Sequence, residues 1–245
     1  DLSTNPPNKL KRRLMNILIT GSNRGIGLGL VRAYISKGAY VIATCRTLEN
    51  VEELETLRNS HGDQLKILQL DVKKQKQLVS LDEELGDLSI DILYLNAGIT
   101  GGRKAVPFGD LESQEWREVL MVNSIAPILV AQRMLPRIRR SGSKTIAILT
   151  SQMGSIGNNT TGGSYIYRSS KAALNAGAKS MAQDLKNEGV KVVLLHPGWV
   201  QTDMGGPNAE ITVEQSVAGM ITLIERLGID ESGSFLNYRG EKLPW

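Results

Sequence analysis

Seven short apolar runs, each separated from the next by a segment long enough for a helix, constrain this chain more than any other feature. They span Met15–Ile19, Tyr40–Thr44, Leu65–Leu70, Ile90–Leu95, Lys144–Leu149, Val190–Leu195 and Ser234–Leu236. Strand-like runs that alternate with helix-like ones at this spacing read as βαβ units and hence a parallel sheet. The runs are apolar nearly throughout rather than at alternate positions, as expected of strands covered by helices on both faces. The fold class expected is therefore α/β, a doubly wound parallel sheet with helices on both faces. With 245 residues, 41% of them hydrophobic and 22% charged, the chain can build one sizeable domain of this kind, and residues 15–245 are assigned to it.

In an open sheet of this sort ligands bind beyond the carboxyl ends of the strands, so the chemistry is sought there. The first run leads into Thr20-Gly21-Ser22-Asn23-Arg24-Gly25-Ile26-Gly27 and then a helical pattern from Leu28. Glycine at 21, 25 and 27 removes Cβ atoms that would block a tight strand-to-helix turn, so backbone N–H groups at the helix start can lie against a phosphate; a plain glycine-rich loop is the alternative. The second run ends at Cys45-Arg46, the third at Asp71-Val72, the fourth at Asn96-Ala97-Gly98, the fifth at Thr150-Ser151 and the sixth at His196-Pro197-Gly198. An acidic residue after the second strand takes the ribose hydroxyls of NAD. Arg46 stands there instead, and Arg24 lies in the glycine turn. Two guanidinium groups suit a 2′-phosphate, so NADP(H) is the expected cofactor, with a solvated surface charge as the alternative for Arg46 alone. Asp71 suits an adenine amino group or, equally, a turn or helix cap.

A helical pattern runs from Asp110 to Arg140, with Asn123 inside it and Pro127 four residues on. Proline has no N–H to offer the carbonyl one turn back, so the Asn123 carbonyl is expected to lack its helical partner and to bind water; a simple proline kink is the alternative. The stretch Ile125–Ala131 is apolar around much of the helix, which points either to a homodimer through the long helices or to burial within the monomer. Further on, Tyr167 and Lys171 stand at i and i+4 on one helix face, whereas Tyr165 has Ser169 at that spacing. An ammonium beside a phenol is expected to lower the phenol pKa by about 1–3 units, toward a working pH, which makes Tyr167 a proton donor; a plain helix face is the alternative.

Composition narrows the function classes. The net charge of +4 is concentrated in the first fourteen residues, where Lys9, Lys11, Arg12 and Arg13 stand against Asp1. The remainder is nearly neutral, which is no electrostatic footprint for nucleic acid. Residues 1–14 hold two prolines and no apolar periodicity, and Met15 reads as a natural start, so these residues are expected to be a flexible extension. No apolar run reaches the roughly 20 residues of a membrane span and no signal peptide precedes the first strand, so no membrane partner is expected and a cytoplasmic location is. Cys45 is the one cysteine, which leaves no internal disulfide and no multi-cysteine metal site, and no metal is expected. Cys45 itself reads as a small buried side chain. Ser151 has no Gly-x-Ser-x-Gly elbow around it, which argues against a hydrolase. His61, in a polar turn, and His196, before a proline, have no ligand partner or nucleophile nearby in sequence and are read as structural.

Taken together and in this order, the glycine turn, Asn96-Ala97-Gly98, Asn123, Ser151, the Tyr167-x-x-x-Lys171 pair and Pro197-Gly198 resemble the short-chain dehydrogenase/reductase family over residues 15–245. Within that family, the phrases at 16–30, Ala43-Thr44-Cys45-Arg46 and His196-Pro197-Gly198-Trp199-Val200-Gln201-Thr202-Asp203-Met204-Gly205-Gly206 resemble the sniffer-type carbonyl reductases and the C-factor-like proteins. The resemblance implies a single-domain Rossmann-type fold and an NADPH-dependent oxidoreductase acting on aldehydes, ketones or quinones, assembled as a homodimer. Residue by residue, it implies that Tyr167 donates a proton to the substrate carbonyl as hydride leaves the nicotinamide and that Ser151 hydrogen-bonds the same oxygen. Lys171 would hold the nicotinamide ribose and lower the Tyr167 pKa, and the Asn123 carbonyl would hold a water that links Lys171 to solvent. Asn23, Arg24 and Ile26 would line the phosphates beside Gly21, Gly25 and Gly27, with Arg46 at the 2′-phosphate and Asp71 and Val72 at the adenine. Asn96, Ala97 and Gly98 would support the cofactor, and Val200 and Thr202, after Pro197, would fix the carboxamide. Ser151 and Tyr167 are 16 positions apart, a few more than is common in the family, with an extra loop at 158–163, so the family's pocket shape does not transfer. Gln152, Met153 and Trp199 are its expected walls, a packing role being the alternative for Trp199. A different class of function, an NADP(H)-binding sensor or signalling protein with incidental turnover, is opposed by the intact Ser151, Tyr167 and Lys171 set.

Overall fold

β1 (Asn16–Thr20) lies parallel to β2 (Tyr40–Cys45) in the computed structural model, which describes residues 14–101 and 106–245. The expected extension over 1–14 lies outside the described residues except for Leu14. β3 (Leu65–Gln69), β4 (Ile92–Leu95), β5 (Thr145–Leu149), β6 (Lys191–His196) and β7 (Ser234–Asn237) complete a seven-stranded sheet in the order β3-β2-β1-β4-β5-β6-β7. Every pairing is parallel. All seven expected strands are present, with ends that shift by one or two residues, as where β4 begins at Ile92 rather than Ile90. The winding reverses between β1 and β4, and such a switch point opens a crevice at the carboxyl ends.

The helices are α1 (Gly25–Ser36), α2 (Glu52–His61), α3 (Gln75–Glu84), α4 (Ser113–Leu120), α5 (Ala126–Arg139), α6 (Tyr165–Leu185) and α7 (Val213–Arg226). Strand residues alternate between the two faces. Ile17, Ile19, Val193 and Leu195 enter the core layer under α1 and α7, while Leu18, Val192 and Leu194 enter the layer under α5 and α6. Burial of each such side chain contributes about 1.5–3 kcal/mol, so continuous apolar runs are what a sheet covered on both sides demands.

α4 and α5 are joined by a single π-helical turn, Met121–Ile125, into one helix over Ser113–Arg139. This helix is 27 residues long, with a mean hydropathy of 1.4 over its most apolar window, which exceeds the expectation that no span-length apolar run exists. Half of that window is buried within the molecule, where Val130, Ala131 and Met134 pack in the core layer beside α6. Of the apolar stretch at 125–131, Ala126, Pro127, Val130 and Ala131 are buried, while Ile125 stays 46% exposed.

Candidate active site

The glycine turn brings the start of α1 against the ends of β1 and β4. Gly25 sits at φ +54°, where an L side chain is strained. A Cβ at Gly27 would lie 2.1 Å from the Gly21 carbonyl oxygen and 2.7 Å from Asn96 Nδ2, so helix and strand end approach too closely for any other residue. Arg24 caps α1 in extended conformation without a side-chain cap, and the first turn holds no acidic residue. The Arg24 guanidinium instead pairs with Asp203 at 2.7 Å, with both side chains largely exposed. Such a pair contributes at most about 1 kcal/mol and gives way readily to a stronger anion. Asn23 Nδ2 donates to the Asn50 carbonyl at 3.3 Å.

A chain of hydrogen bonds runs from this turn to α6. Asn96 Nδ2 donates to the carbonyls of Thr20 and Gly21, and the Thr20 hydroxyl accepts the N–H groups of Asn96 and Ala97. Asn123, fully buried, grips Ile99 twice: its Oδ1 accepts the Ile99 N–H at 2.8 Å and its Nδ2 donates to the Ile99 carbonyl at 2.7 Å. The same Nδ2 reaches Ser170 Oγ on α6 at 3.0 Å. Asn123 lies in the π turn, where the Ala126 N–H bonds Met121 rather than the residue one α-helical turn back. Pro127 then offers the Asn123 carbonyl no N–H, so the turn is more than a proline kink.

Ser151 follows β5, and its Oγ accepts the Met153 N–H at 3.1 Å while hydrogen-bonding the Tyr167 phenol. Tyr167 and Lys171 come from the first turns of α6, as their spacing requires, with Lys171 Nζ 5.8 Å from the Tyr167 ring centroid. Lys171 is buried, donates to the Leu149 carbonyl at 3.0 Å, and lies close under Gly98. The expected lowering of the phenol is not what this geometry produces. Burial pushes Tyr167 up to about 12, against which the Ser151 hydrogen bond works only in part. Burial also takes Lys171 down to about 8, so its own charge is weakened. Desolvation sets the sign, and Lys171, whose Nζ donates to a backbone carbonyl, is not among the causes acting on the phenol.

The other candidates lie at the carboxyl ends of the strands, and of Arg46, Asp71, Val72, Val200 and Thr202 only the last two line the cavity between them. Arg46, exposed, follows β2 directly beside the glycine turn, where the Ser22 N–H bonds the Thr44 carbonyl. Asp71 turns Oδ1 onto the Lys73 N–H at 3.1 Å, a turn-capping role that leaves its other oxygen available. Val72 packs on the core layer below. Thr202 lies against Gly25, and Val200 bridges to Ile211, so the segment after Pro197 folds back over the start of α1.

A cavity of about 650 Å³ joins the two sets, with Ser151 and Tyr167 on one side and Ile26, Pro197, Val200 and Thr202 on the other. Gln152, Met153 and Trp199 line it as expected. Trp199 also donates its ring N–H to the Gly205 carbonyl at 2.8 Å, so wall and packing roles coexist. Lys171 and Asn123 lie behind the cavity rather than on its surface. Tyr165, excluded as the acid by its spacing, lines the cavity and packs tilted against Phe108 with ring centroids 5.6 Å apart. Tyr238 and Arg239 also line it and were missed, although they follow the seventh strand just as the chosen residues follow the other six. His196, which its sequence neighbours mark only as structural, lines the cavity too.

The chain is similar to C-signal of Myxococcus xanthus, at 45% identity over 156 residues that make up 64% of this chain and 93% of that protein. Among solved structures, the carbonyl reductase Sniffer of D. melanogaster superposes with a TM-score of 0.87 at 37% identity, covering 95% of this chain and 100% of that one. The NADPH-bound carbonyl reductase from chicken fatty liver superposes with a TM-score of 0.86 at 34% identity over 95% of this chain and 100% of that one. The model of the short chain dehydrogenase family matches residues 15–211, and the chain belongs to that family.

Proposed function

We propose that the protein is an NADPH-dependent reductase of carbonyl compounds such as aldehydes, ketones or quinones. The observation that carries this reading is the cavity in which Ser151 and Tyr167 face Ile26, Pro197, Val200 and Thr202. The residues present fit a dinucleotide. The uncapped, acid-free start of α1 leaves N–H groups for a phosphate, the glycine turn leaves no Cβ in their way, and Arg24 and Arg46 offer donors for a 2′-phosphate. Asp71, Val72, Asn96, Ala97 and Gly98 would flank the adenosine and ribose halves, with Lys171 behind Gly98. A bound nicotinamide supplies the hydride.

Tyr167 holds its proton across the whole neutral range and releases it to the substrate oxygen as negative charge builds there. Ser151 accepts the Met153 N–H on one lone pair, and its hydroxyl hydrogen, which otherwise faces the Tyr167 phenol, would turn to the same oxygen. The Asn123 carbonyl, lacking an α-helical donor, would hold a water on the path from Lys171 to solvent. Assembly as a homodimer through α4–α5 and α6 is part of the proposal.

The test is NADPH oxidation with aldehydes, diketones and quinones by the parent and by Tyr167→Phe. The variant should bind NADPH as the parent does and lose about 10²–10⁴-fold in kcat. A Tyr167→Phe protein with near-parent turnover would remove the mechanism, and equal affinity for NADH and NADPH would remove the cofactor choice. The second reading, a cofactor-binding signalling protein, draws on the 45% identity to a protein named C-signal. Tight NADPH binding by a parent that reduces no carbonyl would favour it.

A further inference from the structure

We propose that His196 is a specificity-determining residue, donating its Nε2 hydrogen to a second oxygen of the substrate beside the carbonyl that is reduced. The inference rests on the reductase reading above. His196 is the last residue of β6, which lies between β5, the strand that delivers Ser151, and β7. The Thr150 N–H bonds the Leu195 carbonyl at 2.9 Å, so His196 stands one strand spacing, about 4.8 Å, from the strand end that carries the serine. Leu194 belongs to the core layer under α5 and α6 and Leu195 to the opposite one. Alternation therefore turns His196 to the α6 side, from which Tyr167 comes.

His196 is 9% exposed and lines the same cavity as Ser151 and Tyr167. Its Nδ1 is buried without a hydrogen-bond partner, a state shared among the described residues only by Arg168 Nε, which does not line this cavity. A neutral ring carries one hydrogen, and placing it on the enclosed Nδ1 would bury a donor with no acceptor. We place the hydrogen on Nε2, which, unlike Nδ1, is not among the enclosed atoms without a partner and so can serve an oxygen in the cavity that His196 lines. Burial lowers the ring to about 4, so at neutral pH it is a donor without charge.

Two neighbouring polar groups already have partners within the protein. Asn237 Oδ1 accepts the N–H groups of Arg239 and Glu241, and its Nδ2 donates to Glu241 Oε2. The Tyr238 hydroxyl accepts from Arg239 Nε at 2.9 Å. His196 is left as a placed, unused donor one strand away from the reacting group, which fits a substrate whose reducible carbonyl has an acceptor oxygen next to it.

Benzil and deoxybenzoin test this, since they differ only in whether a second carbonyl flanks the first. Both are assayed with NADPH against the parent, His196→Phe and His196→Gln. His196→Phe should lose about 3–10-fold in kcat/KM on benzil, mainly through KM, while deoxybenzoin and NADPH affinity change less than about 2-fold. His196→Gln, which keeps a donor, should recover most of the loss. Equal losses on both substrates, or none on benzil, overturn the inference and leave the reductase reading standing. A parent that oxidises NADPH with neither substrate overturns both. Imidazole nitrogen NMR on the parent gives a readout independent of turnover and of how the variants fold, because the chain has only two histidines. A hydrogen on Nε2 supports the assignment, and a hydrogen on Nδ1 sinks it.

Discussion

His196 and Lys171 are two bases held in the interior with burial as the one cause acting on their titration, and each is displaced toward its neutral form. For His196 the folded value of about 4 lies below the ordinary 6.5, so between those limits the unfolded chain binds a proton that the folded one does not. Stability attributable to this residue is complete above pH 6.5 and drains away as pH falls toward 4. At a pH midway through the lower part of that window the loss is roughly 2–3 kcal/mol. His196→Gln removes the titration, so the parent should lose that much more than the variant in urea unfolding between neutral and mildly acid pH. His61, exposed at the end of α2, is common to both and cancels. Equal losses in the two proteins would show that the buried imidazole does not resist protonation. Tyr167 and Lys171 were legible as a pair because i,i+4 is a local relation, but the direction of the phenol's shift was not. Burial is set by chain segments remote in sequence, and it reverses the sign that the pair alone suggests.

The π turn shows how far an element can be read from its residues. Pro127 announces a break in the α pattern, and the break is there. The use made of it, turning the Asn123 side chain onto Ile99 and Ser170, has no local signature because those partners are 24 and 47 positions away. The turn thereby fastens the segment after β4 to the helix that carries Tyr167, since Ser170 Oγ in turn donates to the Tyr167 carbonyl at 2.8 Å. Asn123→Leu would leave the N–H and carbonyl of the half-buried Ile99 without partners, each at up to about 1–3 kcal/mol. The expected result is a loss of about 2–5 kcal/mol in urea unfolding with an unchanged m-value, well above an ordinary surface substitution. A loss under about 1 kcal/mol would mean that Ile99 finds other partners and that the grip is incidental. The same remoteness hid Tyr238 and Arg239, which enter the cavity only because β7 is added beside β6 at the far edge of the sheet.

At the scale of the molecule the winding was legible, since seven continuous apolar runs with helix-length separations leave few alternatives to a doubly wound sheet. What covers its outer helices was not, because the same apolar stretch serves a core or an interface. The fold assigns most of 125–131 to the core and leaves Met121 and Ile125 outward at i and i+4, 36% and 46% exposed. Beside them α6 presents the small exposed residues Ala173, Ala176 and Ser180, and Trp116 ties the two helices through Ser169 at 2.8 Å. A helix of 27 residues is about 40 Å long, and two adjacent helices are about 20 Å wide, so this face offers about 800 Å² per partner, the size of a stable interface. A face with two apolar knobs and small residues beside them would suit a second copy of the same surface in a closed two-fold pair. The parent should therefore sediment as a dimer at micromolar concentration. Ile125→Glu places a charge at the centre of the contact without touching the core, so it should sediment as a monomer with the parent's circular dichroism and unfolding midpoint in dilute solution. A parent that stays monomeric under these conditions would mean that the outward Met121 and Ile125 are ordinary scattered surface apolars, and the homodimer would have to be abandoned.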